Sequence, residues 1–290
     1  MFASFNARAV GLASLTAEET IDLAASAGFG GVDLLVRDIV RTGSDPARLR
    51  ARMDARSLRG GAFPMPTDWR GDEVTFRRDL AELPAIARAA ATLGLTRTAT
   101  WVMPEMPDRT TDRREVAAMH VRRLGAIARV LDDHGIRLGL EVIGVESFRK
   151  GPGGPFVARL ADLDRELPTI RDESPAIGLL VDAFHLYAAA EPIDAALARG
   201  AGDVVWVHVA DLPRGASGER SKIIDAERGL PGENGAVDSA GLLGRLARDG
   251  YDGPVTAEPL ARCASLMGQG SDAVARRVKE SLDRAWPGPS

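Results

Sequence analysis

Cysteine is almost absent from this chain, since Cys263 is the one thiol among 290 residues. A single thiol cannot form an internal disulfide, and it cannot build a zinc cluster of cysteines. The chain begins without a basic segment ahead of a long apolar run, and no apolar stretch reaches the length of a membrane span. These features predict a cytoplasmic protein that does not enter a membrane.

Excess positive charge is also missing. Lysine and arginine number 37 against 41 acidic residues, which gives a net charge of −4. A mildly acidic chain gives no general reason to expect a polyanionic partner, so we expect no nucleic-acid binding. The hydrophobic share of 45% suffices for a large core. No linker divides the sequence, and we therefore expect a single domain over residues 1–290.

Short apolar runs alternate with longer amphipathic segments along the whole chain, which is typical of strand–helix units around a parallel sheet. The predicted strands cover residues 2–5, 31–36, 60–63, 98–102, 137–141, 177–182, 203–208 and 254–258. The predicted helices cover residues 16–28, 45–58, 72–93, 111–134, 157–166, 183–198, 239–249 and 271–285. This pattern predicts an α/β fold, a (β/α)8 TIM barrel of about 250 residues or more. The longest irregular stretch, 211–237, is of the length that usually carries function.

Each of the last four predicted strands ends in one side chain that can bind a metal, namely Glu141, Asp182, His208 or Glu258. Strand ends of a barrel share one face, where enzymes of this fold carry their chemistry. Alone, any of the four could be a helix cap or a surface charge. Together on apolar strands, the carboxylates would repel one another unless a cation neutralised them. We therefore predict one divalent metal, with Mn2+ preferred and Mg2+, Co2+ or Zn2+ as alternatives.

Other polar and aromatic residues lie near the same strand ends. His185 follows Asp182 by three positions at the start of a helix. Trp69 and Trp101 lie at the ends of the third and fourth predicted strands, where rings could cover the apolar face of a sugar or simply pack between loops. The stretch 211–237 also carries four cations that could hold a phosphate or carboxylate, although such a charge run is usually solvated surface: Arg214, Arg220, Lys222 and Arg228.

Several segments resemble the xylose-isomerase-like superfamily of sugar isomerases and epimerases. These segments are residues 24–33, 138–141, 181–185, 207–211 with Arg214, 230–235 and 251–258. Relatives of this kind include tagatose and psicose 3-epimerases, hydroxypyruvate isomerases, inosose dehydratases and endonuclease four. The resemblance implies that Glu141, Asp182, His208 and Glu258 are metal ligands. It also implies that His185 and Arg214 bind substrate. The stretch before residues 230–235 is longer here than is usual in this family.

These residues suit proton transfer next to a carbonyl through a metal-stabilised enediolate, with Glu141 and Glu258 as the catalytic pair. We expect an isomerase or epimerase of a sugar or related polyol ketone, and a homo-oligomer is possible. A metal-dependent dehydratase of inosose or dehydroshikimate type is the alternative. Cleavage of DNA as in endonuclease four fits poorly, because no histidine precedes His120. A barrel that only binds a ligand is a further alternative, which retention of all four metal-capable residues disfavours.

Overall fold

A computed structural model describes residues 1–288, so the last two positions of the expected domain 1–290 lie outside the described residues. Nine strands form one sheet in the order β3-β2-β1-β9-β8-β7-β6-β5-β4, and every pairing is parallel. The strands are β1 (Phe2–Phe5), β2 (Gly31–Val32), β3 (Arg59–Gly60), β4 (Phe63–Pro64), β5 (Arg97–Trp101), β6 (Arg137–Glu141), β7 (Ile177–Asp182), β8 (Val204–Val209) and β9 (Pro254–Ala257).

The two ends of this sheet belong to a single stretch of chain. β3 pairs with β2 and β4 pairs with β5, while only Gly61 and Ala62 separate β3 from β4. Gly61 donates its N–H to the carbonyl of Val32 at 2.9 Å, and Ala62 accepts from the N–H of Leu34 at 3.3 Å. The sheet therefore curls until its ends meet, as in a TIM barrel, and the nine strands occupy the eight predicted positions.

Helices surround the curled sheet. They are α1 (Ala17–Ser26), α2 (Val36–Thr42), α3 (Pro46–Asp54), α4 (Glu73–Leu93), α5 (Arg113–Asp132), α6 (Leu160–Glu166), α7 (Ala183–Ala189), α8 (Ile193–Ala196), α9 (Ser239–Arg248) and α10 (Ser271–Ala285). A capping box begins α1, where Thr16 and Glu19 exchange reciprocal side-chain and backbone bonds. Within residues 1–288, no helix has the length and apolar character that crossing a membrane requires.

Two predicted elements differ from the structure. The predicted helix 183–198 is divided into α7 and α8, because Ala190 adopts a left-handed φ of 57° and Pro192 follows it. The predicted strand 31–36 is only two residues long, and its last residue, Val36, is already the first residue of α2. The apolar run at 31–36 reflects burial, which periodicity alone cannot assign to strand or helix.

Apolar side chains lie in two separate layers. A large cluster fills the space between the sheet and the helices. A smaller one, made of Ala62, Ala99, Leu180 and Trp206, lies on the inner side of the curled sheet. Because side chains alternate along a strand, the residue two positions after each member faces the same side. The inner cluster is therefore the floor beneath the carboxyl ends of the strands.

Gly61 sits where no side chain fits. A Cβ atom built on it would lie 2.1 Å from Oδ1 of Asp33 and 2.2 Å from Oγ of Ser4. We expect Gly61→Ala to lower the free energy of unfolding by about 1–3 kcal/mol, since a buried neighbour must move to relieve the overlap. Urea unfolding measures this change. Gly202→Ala is the matched control, because nothing lies within 4 Å of its Cβ position, and an equal loss in both variants would contradict the argument.

Candidate metal centre

Four side chains from neighbouring strands converge at the carboxyl end of the sheet. Glu141 and Asp182 are the last residues of β6 and β7, His208 lies on β8, and Glu258 follows β9. One nitrogen or oxygen atom from each lies within 4.8 Å of the corresponding atoms of the other three. The sheet itself sets this geometry, since Asp182 and His208 are register partners in the β7–β8 ladder. The structure thus brings together all four residues of the predicted metal site.

The four residues differ in how far they reach toward solvent. The side chain of Asp182 is fully buried, and that of His208 is nearly so. The side chains of Glu141 and Glu258 retain 13% and 21% of their exposure. Asp182 also accepts the N–H of Phe184 at 2.8 Å, so it caps the start of α7. Asp182 is therefore held as a fixed internal anchor, while the two glutamates face the space above the site.

The negative charge of the cluster shifts the pKa values of its members. Burial, together with Glu258 and Asp182, raises the pKa of Glu141. Burial alone would also raise the pKa of Glu258, but His208 and Arg228 hold it well below its usual range. Burial opposes protonation of His208, yet the surrounding carboxylates raise its pKa to about 9. The carboxylates thus depend on the positive charges of His208 and Arg228, and this excess of negative charge is the environment that favours a bound cation.

The imidazole of His208 supplies a direct test of whether a metal fits here. Both of its ring nitrogens are buried; Nε2 has no partner among the described residues, while Nδ1 forms an ion pair with Glu258. A buried polar atom without a partner costs free energy unless something binds it. Nδ1 of His208 lies 3.3 Å from Oε2 of Glu258, on the side of the carboxylates. One imidazole with three carboxylates is a donor set that suits a divalent cation, and these residues therefore fit one.

Arg228 is a member of the site that the sequence analysis missed. Its guanidinium is buried, and Nη1 donates to Oδ2 of Asp182 at 2.8 Å and to Oε2 of Glu258 at 2.9 Å. Nη2 donates to Oδ1 of Asp225 at 2.5 Å and lies 3.1 Å from Nε2 of His185. The interpretation of the loop cations as solvated surface is wrong for Arg228, which supplies a buried positive charge to the cluster.

Arg214, the arginine that the family resemblance implied, is exposed. The structure gives its side chain no hydrogen bond or ion pair with another described residue, and its role in substrate binding stays a prediction. Arg228, two residues before the segment 230–235, is the loop arginine that contacts Asp182 and Glu258.

The base of the long loop is fastened by Asp211. Its backbone exchanges two hydrogen bonds with Gly229, at 3.1 and 2.8 Å. Its carboxylate accepts N–H groups from Asn234, Gly235 and Val237 at 3.0, 2.6 and 3.1 Å. A carboxylate that accepts several backbone N–H groups holds a turn rigidly. Because the backbone of Gly229 is held in place, the neighbouring residue Arg228 has a fixed position from which its side chain reaches the site.

His185 lies inside the same cluster. Its side chain is buried, and Nε2 lies 3.8 Å from Oε1 of Glu141, 3.8 Å from Oδ2 of Asp182 and 3.6 Å from Oδ1 of Asp225. Burial lowers the pKa of His185, against the raising effect of Asp182. Nδ1 is buried without a partner among the described residues. The predicted substrate-binding histidine is thus in direct reach of the site.

The two predicted tryptophans have different surroundings. Trp69 is completely buried, donates its indole N–H to Oγ1 of Thr100 at 3.0 Å and packs against His120. This placement corresponds to packing between loops, the alternative that the sequence left open. Trp101 is 39% exposed and is the register partner of Glu141 in the β5–β6 ladder. Of these two residues, Trp101 is the one placed to meet a ligand.

Asp33 supports the site from below and was also missed. Its carboxylate accepts from Oγ of Ser4 at 2.6 Å and from Oγ1 of Thr256 at 2.8 Å. Thr256 accepts the indole N–H of Trp206 at 2.9 Å, and the Trp206 ring stands edge-on to His208 at a centroid distance of 4.5 Å. This chain of bonds fixes the wall against which the His208 imidazole lies.

Next to the site, a cavity of about 390 Å³ opens at the ends of the first strands. Its lining includes Asn6, Asp33 and Pro64, together with polar side chains such as Thr16 and Ser44. None of the four converging residues lines it. It provides room for a small polar molecule at the same end of the barrel.

The xylose isomerase-like TIM barrel family matches residues 21–284 of the chain. The chain belongs to this family. The xylose isomerase-like fold is confirmed by a solved xylose isomerase domain protein from Alicyclobacillus acidocaldarius, which is 29% identical with a TM-score of 0.82. That comparison covers 98% of this chain and 97% of the other.

Two more distant members share the xylose isomerase-like fold. The IolI protein, solved with a binding zinc atom, is 15% identical with a TM-score of 0.76, and 98% of each chain is covered. D-Psicose 3-epimerase from Clostridium cellulolyticum H10, solved with D-tagatose, is 15% identical with a TM-score of 0.70 over 98% of each chain. At this level of identity, both show the fold alone. No curated protein matches the chain.

Proposed function

We propose that this protein is a metal-dependent isomerase or epimerase of a sugar or related polyol ketone, acting by proton transfer next to a carbonyl. The observation that supports it most is the convergence of Glu141, Asp182, His208 and Glu258 within 4.8 Å, with a buried imidazole whose Nε2 has no partner among the described residues. Membership in a family whose structural neighbours include an epimerase supports the same class of reaction.

Glu141, Asp182, His208 and Glu258 would hold the metal. Three carboxylates with one imidazole favour Mn2+ in our proposal, while the zinc in the IolI structure keeps Zn2+ as an alternative. When bound, the metal supplies Lewis acidity, which polarises a substrate carbonyl and acidifies the neighbouring C–H group. Without a cation, the carboxylates of the cluster would repel a substrate oxygen that becomes negative during the reaction. A bound cation would offset that repulsion.

Glu141 and Glu258 are the proposed proton carriers. Their side chains are 13% and 21% exposed, whereas that of Asp182 is fully buried, so the two glutamates are the carboxylates better placed to meet a carbon above the site. Proton return to the same carbon from the other side gives epimerisation, and return to the neighbouring carbon gives isomerisation.

Arg228 and His185 are the proposed substrate-orienting residues. Their facing nitrogens lie 3.1 Å apart, and both adjoin the ligand carboxylates. Both side chains are buried, so a substrate oxygen bound by them would replace its hydrogen bonds to water with hydrogen bonds to fixed protein donors. The exposed Arg214 would then contribute less than the family resemblance implies.

The metal site is tested by replacing His208. We expect the wild type to bind one divalent ion per chain, and His208→Ala to lose metal affinity by about 100-fold or more, because a ligand is removed. Calorimetric titration with Mn2+ and Zn2+ measures this. His134→Ala is the control, because that histidine lies beyond the end of α5 and bonds the carbonyl of Val130. Wild type that binds no divalent ion would refute the proposal.

The reaction is tested by following proton exchange in D2O. Metal-loaded protein should move solvent deuterium into a ketose, and a chelator should stop the exchange. A dehydratase would instead give a new conjugated absorbance with a cyclic ketone. Exchange that persists in chelator would contradict the metal-dependent scheme.

A further inference from the structure

Arg70 is a partly buried arginine without a carboxylate partner within 4 Å among residues 1–288. Its Nη1 donates to Oγ1 of Thr100 at 3.0 Å and to the carbonyl of Trp101 at 2.8 Å. Its guanidinium carbon lies 3.7 Å from the centroid of the Trp101 ring. Burial lowers the pKa of Arg70 to about 10. The charge is therefore held in a fixed place but is not neutralised, unlike that of Arg123, which pairs with Glu73.

The strand register places Trp101, on which this guanidinium packs, next to the strand end of Glu141. Ala99 belongs to the inner cluster with Leu180 and Trp206, so Trp101, two positions later, faces the same inner side. Trp101 is also the register partner of Glu141, and neighbouring strands lie about 5 Å apart. Arg70 thus lies across one indole ring from the strand end that carries a proposed proton carrier.

The guanidinium keeps part of its donor set free. Nη1 makes both of its hydrogen bonds to protein, while Nε and Nη2 have none to a residue that the structure describes. These two atoms form the edge of the planar fork that pairs with two oxygens of a carboxylate or phosphate. Stacking on the Trp101 ring fixes the plane of that fork in advance, which reduces the entropy lost on binding.

We propose that Arg70 binds an anionic group of the substrate, a carboxylate or a phosphate, at the end of the molecule away from the metal centre. This inference rests on the proposed function and narrows it, since the substrate becomes an anionic polyol ketone and not a neutral free sugar. Trp101 is the platform that holds the guanidinium, and the carbonyl that reacts lies toward Glu141.

The test compares three probes on metal-loaded protein: D-fructose, D-fructose 6-phosphate and 3-dehydroshikimate. Binding is followed by calorimetry. We expect at least one anionic probe to bind about tenfold or more tightly than D-fructose. Arg70→Gln should lower the affinity for that probe by about 10- to 100-fold, since a charged hydrogen-bonding partner is lost. The affinity for D-fructose should not change. Arg70→Lys should recover part of the loss, and the preferred probe distinguishes phosphate from carboxylate.

Arg48→Gln is the control, because Arg48 is exposed on α3. Trp101→Leu keeps the guanidinium but removes its platform, and should also weaken the anionic probe. The inference would be overturned if Arg70→Gln bound each anionic probe as tightly as the wild type does. It would also be overturned if the wild type bound D-fructose more tightly than either anionic probe. Calorimetry with Mn2+ alone measures metal binding separately. A failure of the proposed metal site can therefore be distinguished from a failure of the contact between Arg70 and the anion.

Discussion

Glu258→Gln is expected to remove proton exchange almost completely while the protein stays folded. Glutamine keeps the shape of the side chain and can still accept the bond that Nη1 of Arg228 donates at 2.9 Å. It cannot accept a proton, and it removes one negative charge from the donor set. Loss of a general base costs about 10²- to 10⁴-fold in rate, and weaker metal binding adds to that loss. Solvent-deuterium incorporation by NMR measures the rate.

Glu191→Gln is the matched control for this substitution. Glu191 is also a half-buried carboxylate that accepts a backbone N–H, from Leu160 at 2.9 Å, and burial raises its pKa. It lies outside the four converging residues, so its amide variant should exchange deuterium at the wild-type rate. If Glu258→Gln retained exchange at that rate, the two-glutamate scheme would be wrong.

Arg228→Met is expected to destabilise the metal-free protein strongly. The side chain of Asp182 is fully buried, and Arg228 is its ion-pair partner at 2.8 Å. Removing one member of a buried pair leaves an uncompensated charge, which costs about 3–5 kcal/mol of unfolding free energy. A bound divalent ion supplies the missing charge, and at 100 times its dissociation constant it adds about 2.7 kcal/mol. Urea unfolding with chelator and with Mn2+ measures both effects.

Arg214→Met separates the two arginines of the long loop. Arg214 is exposed, so its variant should unfold like the wild type with or without metal. The same pair of variants tests substrate binding, where Arg228→Met should cost about 100-fold or more in turnover if Arg228 is a buried donor to the reacting oxygens. A larger loss in Arg214→Met than in Arg228→Met would favour the assignment that the family resemblance implied.

The four residues at the strand ends were predictable because each depends on local sequence. An apolar run that ends in Glu141 or Asp182 fixes both the strand and the position of its last side chain. The parallel register then brings these ends together without further information. For the same reason α10 has the predicted bounds, since its amphipathic period is long and uninterrupted.

The site residues that lie on loops could not be predicted in this way. Arg228 and Asp225 reach the site only because Asp211 folds the loop base back on itself, a contact that no periodic pattern encodes. The burial of Trp69 likewise depends on a tertiary bond to Thr100. Asp33 looked like part of an apolar strand, and its partners come from three distant segments.

The hydrogen bonds of Asp211 have a consequence for how this fold can diversify. Asp211 holds both ends of the stretch between Leu212 and Arg228, and Asp225 bonds the guanidinium directly, so residues 213–224 are not needed to place it. Doubling the length of a flexible loop costs only about 0.6 kcal/mol in closure entropy. Insertions and deletions there can thus reshape the rim of the barrel over generations, while the four converging residues beneath keep their positions.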